Sequence, residues 1–216
     1  MSHLVAISRV HYPVTTLGPG NRVGIWFQGC SIRCPGCISM DTWHHKSDRI
    51  TVAELLSSVS EYVQAADGVT ISGGEPFEQP EALGELLGGL PIVLKPGSDV
   101  LVYSGLPFAS LIPWLEQWQG LVDAVISEPF DVTASQTRPL MGSDNQQLHT
   151  LTDLGRERFA EFQRPRDRRD DQLDVMVDED GTAWMTGIPR RGDLERLQAL
   201  LAAQGTVSRT TEHTIR

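Results

Sequence analysis

The chain has 216 residues, with 18 Lys and Arg against 28 Asp and Glu for a formal net charge of -10, and is 40% hydrophobic and 21% charged. That composition describes one ordinary globular domain with room for an appendage, and excludes disordered, collagenous and coiled-coil chains. The acidic balance argues against a nucleic-acid partner, whose backbone is neutralised by many Lys and Arg, and the longest uncharged run, Val100 to Leu115, is broken by Gly105, Pro107 and Pro113 before it reaches the roughly 20 apolar residues of a membrane helix.

The opening residues lack a basic start followed by an apolar stretch and a small-residue cleavage site, so no signal peptide is visible and the cytoplasm is the default address. Gly18-Pro19-Gly20 marks a turn, and Val23 to Phe27 is a short apolar run that reads as a buried strand ending in Gln28-Gly29. The cysteine loop follows directly. Thr51 and Glu54 make a capping-box pattern, and Val52, Leu55, Leu56, Val59 and Val63 recur at helical spacing up to Asp67-Gly68, which predicts an amphipathic helix. Val69 to Ser72 reads as a second strand, running into Gly73-Gly74-Glu75-Pro76. Pro80 opens a helix with Leu83, Leu86 and Leu87, expected to end near Gly88-Gly89. Asp99 to Tyr103, Phe108 to Trp118 and Val122 to Ser127 continue as strand, helix and strand. Such alternation implies an α/β fold with parallel pairing and right-handed crossovers. Sites in these folds lie past the strand C-termini, where both the cysteine loop and the GGEP turn fall.

Between Arg156 and Asp171 six Arg and five acidic residues read as a solvated helix end and linker. Beyond it the alternation around Asp180-Gly181 predicts a hairpin, and Asp193 is expected to cap a short helix with Leu194, Leu197, Leu200 and Leu201 that Gly205 closes. The expected organisation is residues 1–160, a charged linker 161–171, and a small ββα extension 172–216.

Cys30, Cys34 and Cys37 are the only cysteines, all within eight residues. An odd, tightly spaced set cannot staple a domain of this size, so shared metal ligation remains. Thiolates suit zinc and iron–sulfur clusters alike. One reading is a structural zinc site completed by His44 or His45. The other is a 4Fe-4S cluster with three protein ligands and one open iron able to bind a substrate. His44 and His45 otherwise read as exposed polar residues, and Trp26 and Trp43 as packing around the loop.

A CxxxCxxC loop after a first strand, followed by a strand ending in GGEP, resembles the radical S-adenosylmethionine enzymes. The flanks GPGNR, WFQGCSIRCPGC and DTW, then ISGGEP, VYSG, SEPF and GSDNQ, resemble in order the blocks of the 4Fe-4S single-cluster family that includes the anaerobic ribonucleotide reductase activating proteins. The resemblance covers roughly residues 10 to 150. It implies a partial (β/α) barrel in which Cys30, Cys34 and Cys37 hold a 4Fe-4S cluster whose open iron binds S-adenosylmethionine, and no side chain beyond these performs a catalytic step. It further implies that Ser72, Gly73, Gly74 and Glu75 face the methionine moiety, with glycine needed for close backbone approach. Gly36, Cys37 and Ile38 would lie beside the adenine, and Ser104 and Asn145 would make further contacts. The implied partners are a glycyl-radical enzyme and an electron donor such as flavodoxin or ferredoxin. A radical enzyme resembling 7-carboxy-7-deazaguanine synthase and a non-enzymatic metal-binding adaptor are the alternatives. Glu128-Pro129 and Leu140-Met141 stand where family members carry aspartate-glycine and tryptophan-arginine pairs, and these late blocks are expected to face the partner or the cosubstrate.

Overall fold

A computed structural model describes residues 2–46, 48–179 and 182–206. Its centre is a six-stranded mixed sheet built from β2 (Ile7–Val14), β3 (Arg22–Phe27), β5 (Gly68–Gly73), β6 (Asp99–Tyr103), β7 (Ala124–Ser127) and β8 (Gln147–Thr150), adjacent in that order. The four inner strands β3, β5, β6 and β7 are parallel, and β2 and β8 close the edges antiparallel. Three helices make the crossovers: α1 (Val52–Ala65), α2 (Pro80–Val93) and α3 (Phe108–Gln117). A two-stranded pair joins β1 (Leu4–Val5) to β4 (Ile50–Thr51). The chain ends with α4 (Asp153–Arg158), a hairpin of β9 (Leu173–Val177) and β10 (Ala183–Gly187), and α5 (Asp193–Ala203). Among the described residues no helix is long and apolar enough to cross a membrane.

The inner strands are buried on both faces, as parallel strands are. Their side chains alternate, so Val23, Ile25, Phe27, Val69, Ile71, Val100, Val102 and Val125 join Val52, Leu55, Val59, Leu83, Leu86 and Leu90 of the helices in the main core. Each fully buried Leu of that layer contributes about 1.5–3 kcal/mol. The alternate positions look the other way: Trp26, Ser72 and Tyr103 line a cavity near the strand C-termini, while Leu101, Ala124, Ile126, Leu140, Met141 and Phe159 form a second cluster.

The predicted strands and helices are found, with differences that have physical causes. The capping box is present, Thr51 and Glu54 exchanging side-chain and backbone bonds. α2 runs through Gly88-Gly89 to Val93, and Gly89 lies where a Cβ would meet the Leu56 side chain of α1. The fourth strand starts at Ala124, and α5 has Gly192, at φ 81°, as its N-cap while Asp193 accepts from the Arg190 amide instead. The 156–171 segment is largely exposed and carries ordered ion pairs. Arg158 bonds Asp99, Arg164 bonds Asp170 and Arg166 bonds Asp171, and Ala160–Phe162 and Arg168–Asp171 are short 3-10 turns. The Asp180-Gly181 turn lies outside the described residues.

Candidate functional site

β3 delivers the cysteine loop at its C-terminal end, and β5 and β6 deliver the Gly73-Gly74-Glu75 and Ser104-Gly105 turns beside it. All three surround one cavity of about 460 Å³. Cys30, Cys34, Cys37, Ile38, Ser72, Gly73, Gly74, Glu75 and Ser104, each anticipated from sequence, line that cavity. Gly36 and Asn145 do not. Gly36 is exposed at φ +74°, packed toward Phe130 and Val132, and exposed Asn145 spends its amide on the Pro129 carbonyl at 2.8 Å.

The cysteine loop is curled by left-handed residues, Gly29 at φ 109°, Arg33 at 51° and Gly36 at 74°, which turn backbone N–H groups inward as in an anion-binding nest. All three thiols are free. Backbone amides of Arg33 and Ile32 near Cys30, of Phe130 and Cys34 near the Cys34 sulfur, and of Ser39 near Cys37, with the Trp43 side chain, favour the thiolates. Burial nevertheless raises all three thiols, Cys37 to about 11. Three thiolates therefore need a cation among them, and the N–H donors around the sulfurs suit metal-bound thiolates. The residues present fit an iron–sulfur cluster. His45, the candidate fourth zinc ligand, instead faces Glu78 at 3.8 Å, and His44 is exposed with its carbonyl held by Gln28. Among the described residues no group of three or more His, Cys, Asp or Glu side chains is gathered around a single metal position.

Gly73 and Gly74 clamp the loop. The Gly74 amide donates to Phe27 O and the Glu75 amide to Gly29 O, both at 2.8 Å, and a Cβ on either glycine would strike the Phe27 or Gly29 backbone. The space their missing side chains leave is thus filled by the protein's own strand and loop, not by a ligand. Glu75 is almost fully buried. Its Oε1 accepts from the Phe77 amide at 3.0 Å and Ser104 Oγ at 2.9 Å, its Oε2 from the Gly105 amide at 2.7 Å. Burial outweighs these bonds and pushes the carboxyl up to about 7.

Three supporting residues escaped the sequence reading. Glu78 accepts the Ser31 amide at 2.8 Å, Gln79 bridges Ala6 and the Gln28 carbonyl, and Gln28 bonds the His44 carbonyl at 2.6 Å. Glu78 and Gln79 follow GGEP within four residues, which is the only signal that could have marked them. The two departing blocks do not face the cavity as a pair. Leu140 and Met141 are core residues, and Glu128, at φ 81°, accepts from the first amide of α3 at 3.0 Å. The hairpin supplies a wall that sequence reading did not place: Trp184, Thr186 and Ile188 line the cavity.

A family model described as 4Fe-4S single cluster domain matches residues 16–149, more than half of the chain. Among curated proteins, the chain is 32% identical over 143 residues to the anaerobic ribonucleoside-triphosphate reductase-activating protein of Enterobacteria phage T4, covering 63% of this chain and 88% of that protein. It is 27% identical over 149 residues to the protein of the same name from Escherichia coli K12, covering 65% and 96% respectively. The pyruvate formate-lyase-activating enzyme of Clostridium pasteurianum is 41% identical over 75 residues, 32% of either chain. The free cysteines, the clamped glycine turn and these matches agree: the chain belongs to the 4Fe-4S single cluster domain family of radical S-adenosylmethionine activating proteins.

Proposed function

We propose that this chain is an activase that binds a 4Fe-4S cluster on Cys30, Cys34 and Cys37 with one iron open, takes S-adenosylmethionine as cosubstrate, and installs a glycyl radical on a partner enzyme. The observation that carries it is the delivery of three free, N–H-surrounded cysteines and the Glu75 turn into one chamber at the C-terminal ends of adjacent parallel strands, in a chain whose relatives are named as reductase-activating proteins. Neighbouring strands following chain order, with helices packed on one face, suit a partial (β/α) barrel. Cys30, Cys34 and Cys37 would hold the cluster, which when reduced would supply the one electron needed for reductive cleavage of S-adenosylmethionine and so for hydrogen-atom abstraction from the target.

The chain's own residues then do the positioning. Glu75 uses three of its roughly four lone-pair sites on Phe77, Ser104 and Gly105, leaving one for the cosubstrate's ammonium group. The Ser104 and Gly105 bonds fix the β5 and β6 turns relative to each other. Ser72, Ile38 and Ser104 shape the remainder of the chamber, and Trp26 and Trp43 keep water from it. The electron comes from a low-potential donor of the flavodoxin or ferredoxin kind.

The test is anaerobic reconstitution with iron and sulfide, reduction by dithionite with S-adenosylmethionine present, and assay of 5′-deoxyadenosine. Wild type is expected to release it and Cys34→Ala to fall to background. A wild-type chain that loads the cluster and releases no product, alone or with an anaerobic ribonucleotide reductase, would overturn the activase reading.

A further inference from the structure

The family match ends at residue 149, yet the chain beyond it builds one wall of the chamber. β10 and the turn after it bring Trp184, Thr186 and Ile188 to the cavity. This C-terminal part is strapped to both sides of the sheet. On one side Arg9 of β2 pairs with Asp178 at 3.0 Å, and Asp174 accepts from the Thr15 amide at 2.8 Å and its hydroxyl at 2.6 Å. On the other, Gln136 donates to the Pro189 carbonyl at 2.9 Å and Arg191 to that of Ala134.

These straps are half-exposed ionic and polar contacts, a class that adds little net stability. The apolar seal is small. Trp184 meets Trp26 and His11 edge-on at 5.6 and 5.0 Å, but among the described residues of β9, β10 and α5 only Thr186 and Gly187 are buried. Val175 and Val177 stay 62% and 69% exposed. Three buried side-chain nitrogen or oxygen atoms lack a hydrogen-bond partner among the described residues, and two of them, Trp184 Nε1 and Arg166 Nη1, lie in this seam. Arg166 reaches across it to the Ile188 carbonyl. A buried donor without an acceptor is penalised by its lost hydration, which opening restores. Few buried contacts and unsatisfied donors mark a segment that opens locally while the rest stays folded.

The chamber's volume of about 460 Å³ lies in the range filled by one small-molecule ligand. With the wall in place that volume is shared by the cluster site and the cosubstrate, and a polypeptide segment needs further space. We propose that the described residues 173–179 and 182–206 are a cover over the target side of the chamber: closed, they enclose the cosubstrate, and a polypeptide target enters by displacing them. This rests on the activase reading.

Hydrogen exchange on the intact, cluster-free chain tests it. Amides of β9 and β10 are expected to exchange at least about tenfold faster than those of β5 and β6. Asp174→Ala should raise hairpin exchange further with the sheet unchanged, and in the reconstituted protein should raise 5′-deoxyadenosine release without any target, because water and dithionite then reach the chamber. A hairpin as protected as the sheet, a rise shared by both, or equal release from the two chains overturns the cover. Absence of product from both chains, also with an anaerobic ribonucleotide reductase added, overturns the activase reading instead, and the exchange ratio still decides the cover.

Discussion

Glu75 is an almost fully buried carboxyl, raised from its ordinary 4.5 to about 7 by burial despite three donors pointed at it. The folded chain therefore binds more protons than the unfolded chain between those two values, and stability falls as pH rises through that window. A shift of this size corresponds to on the order of 3 kcal/mol when fully expressed. Glu75→Gln removes the titration, at the cost of turning an amide N–H toward the Gly105 or Phe77 donor. In urea unfolding of the cluster-free chain, the stability of wild type minus that of Glu75→Gln should shrink between pH 5 and pH 8. A constant difference would show that this carboxyl does not titrate there. The comparison with the variant matters because burial lowers His11 and His149, and a lowered histidine makes stability rise with pH instead.

At the scale of elements, α1 is the clearest case of local sequence deciding local structure. Thr51 accepts the Glu54 amide at 3.1 Å and Glu54 returns a bond to the Thr51 amide at 2.8 Å. Thr51→Ala should cost about 1 kcal/mol, read as a lower urea midpoint, with cluster loading unchanged because α1 does not line the chamber. The inner strands were equally legible, since parallel strands buried on both faces read as unbroken apolar runs such as Val23 to Phe27. The edge strands were not: β2 carries Ser8, Arg9 and His11, and β8 is a four-residue partly buried segment, so neither shows a continuous run. The cysteines and the glycine turn announced themselves by residue type. Glu78 and Gln79 did not, because their role as backbone anchors depends on which amide the fold brings to them. The Arg-rich stretch showed its charge but not the pairing of Arg158 with Asp99, which only the fold brings together.

The whole molecule divides its two ends between chemistry and stability, as sheets with parallel inner strands do. The chamber lies at the C-terminal ends of the parallel strands, while their N-terminal ends meet at an ion triad. Arg22 and Asp99, the first residues of β3 and β6, are fully buried and paired at 2.6 Å. Arg22 also bonds Thr70 and the Pro19 and Val69 carbonyls, and Arg158 of α4 reaches the second Asp99 oxygen at 3.0 Å. Every donor of the Arg22 guanidinium thus has an acceptor, which is the condition for tolerating a charge at zero exposure. Removing Asp99 leaves two guanidinium groups facing each other without a counter-charge, and breaking such a buried pair costs about 3–5 kcal/mol. Asp99→Ala should lower the unfolding free energy by that amount while the iron and sulfide bound per folded molecule stay at the wild-type value. The triad touches strand starts and the cysteines sit past strand ends, at opposite ends of the sheet. If loading instead fell further than the folded fraction, the sheet would be transmitting strain from one end to the other, and the two ends would have to be treated as one coupled structure.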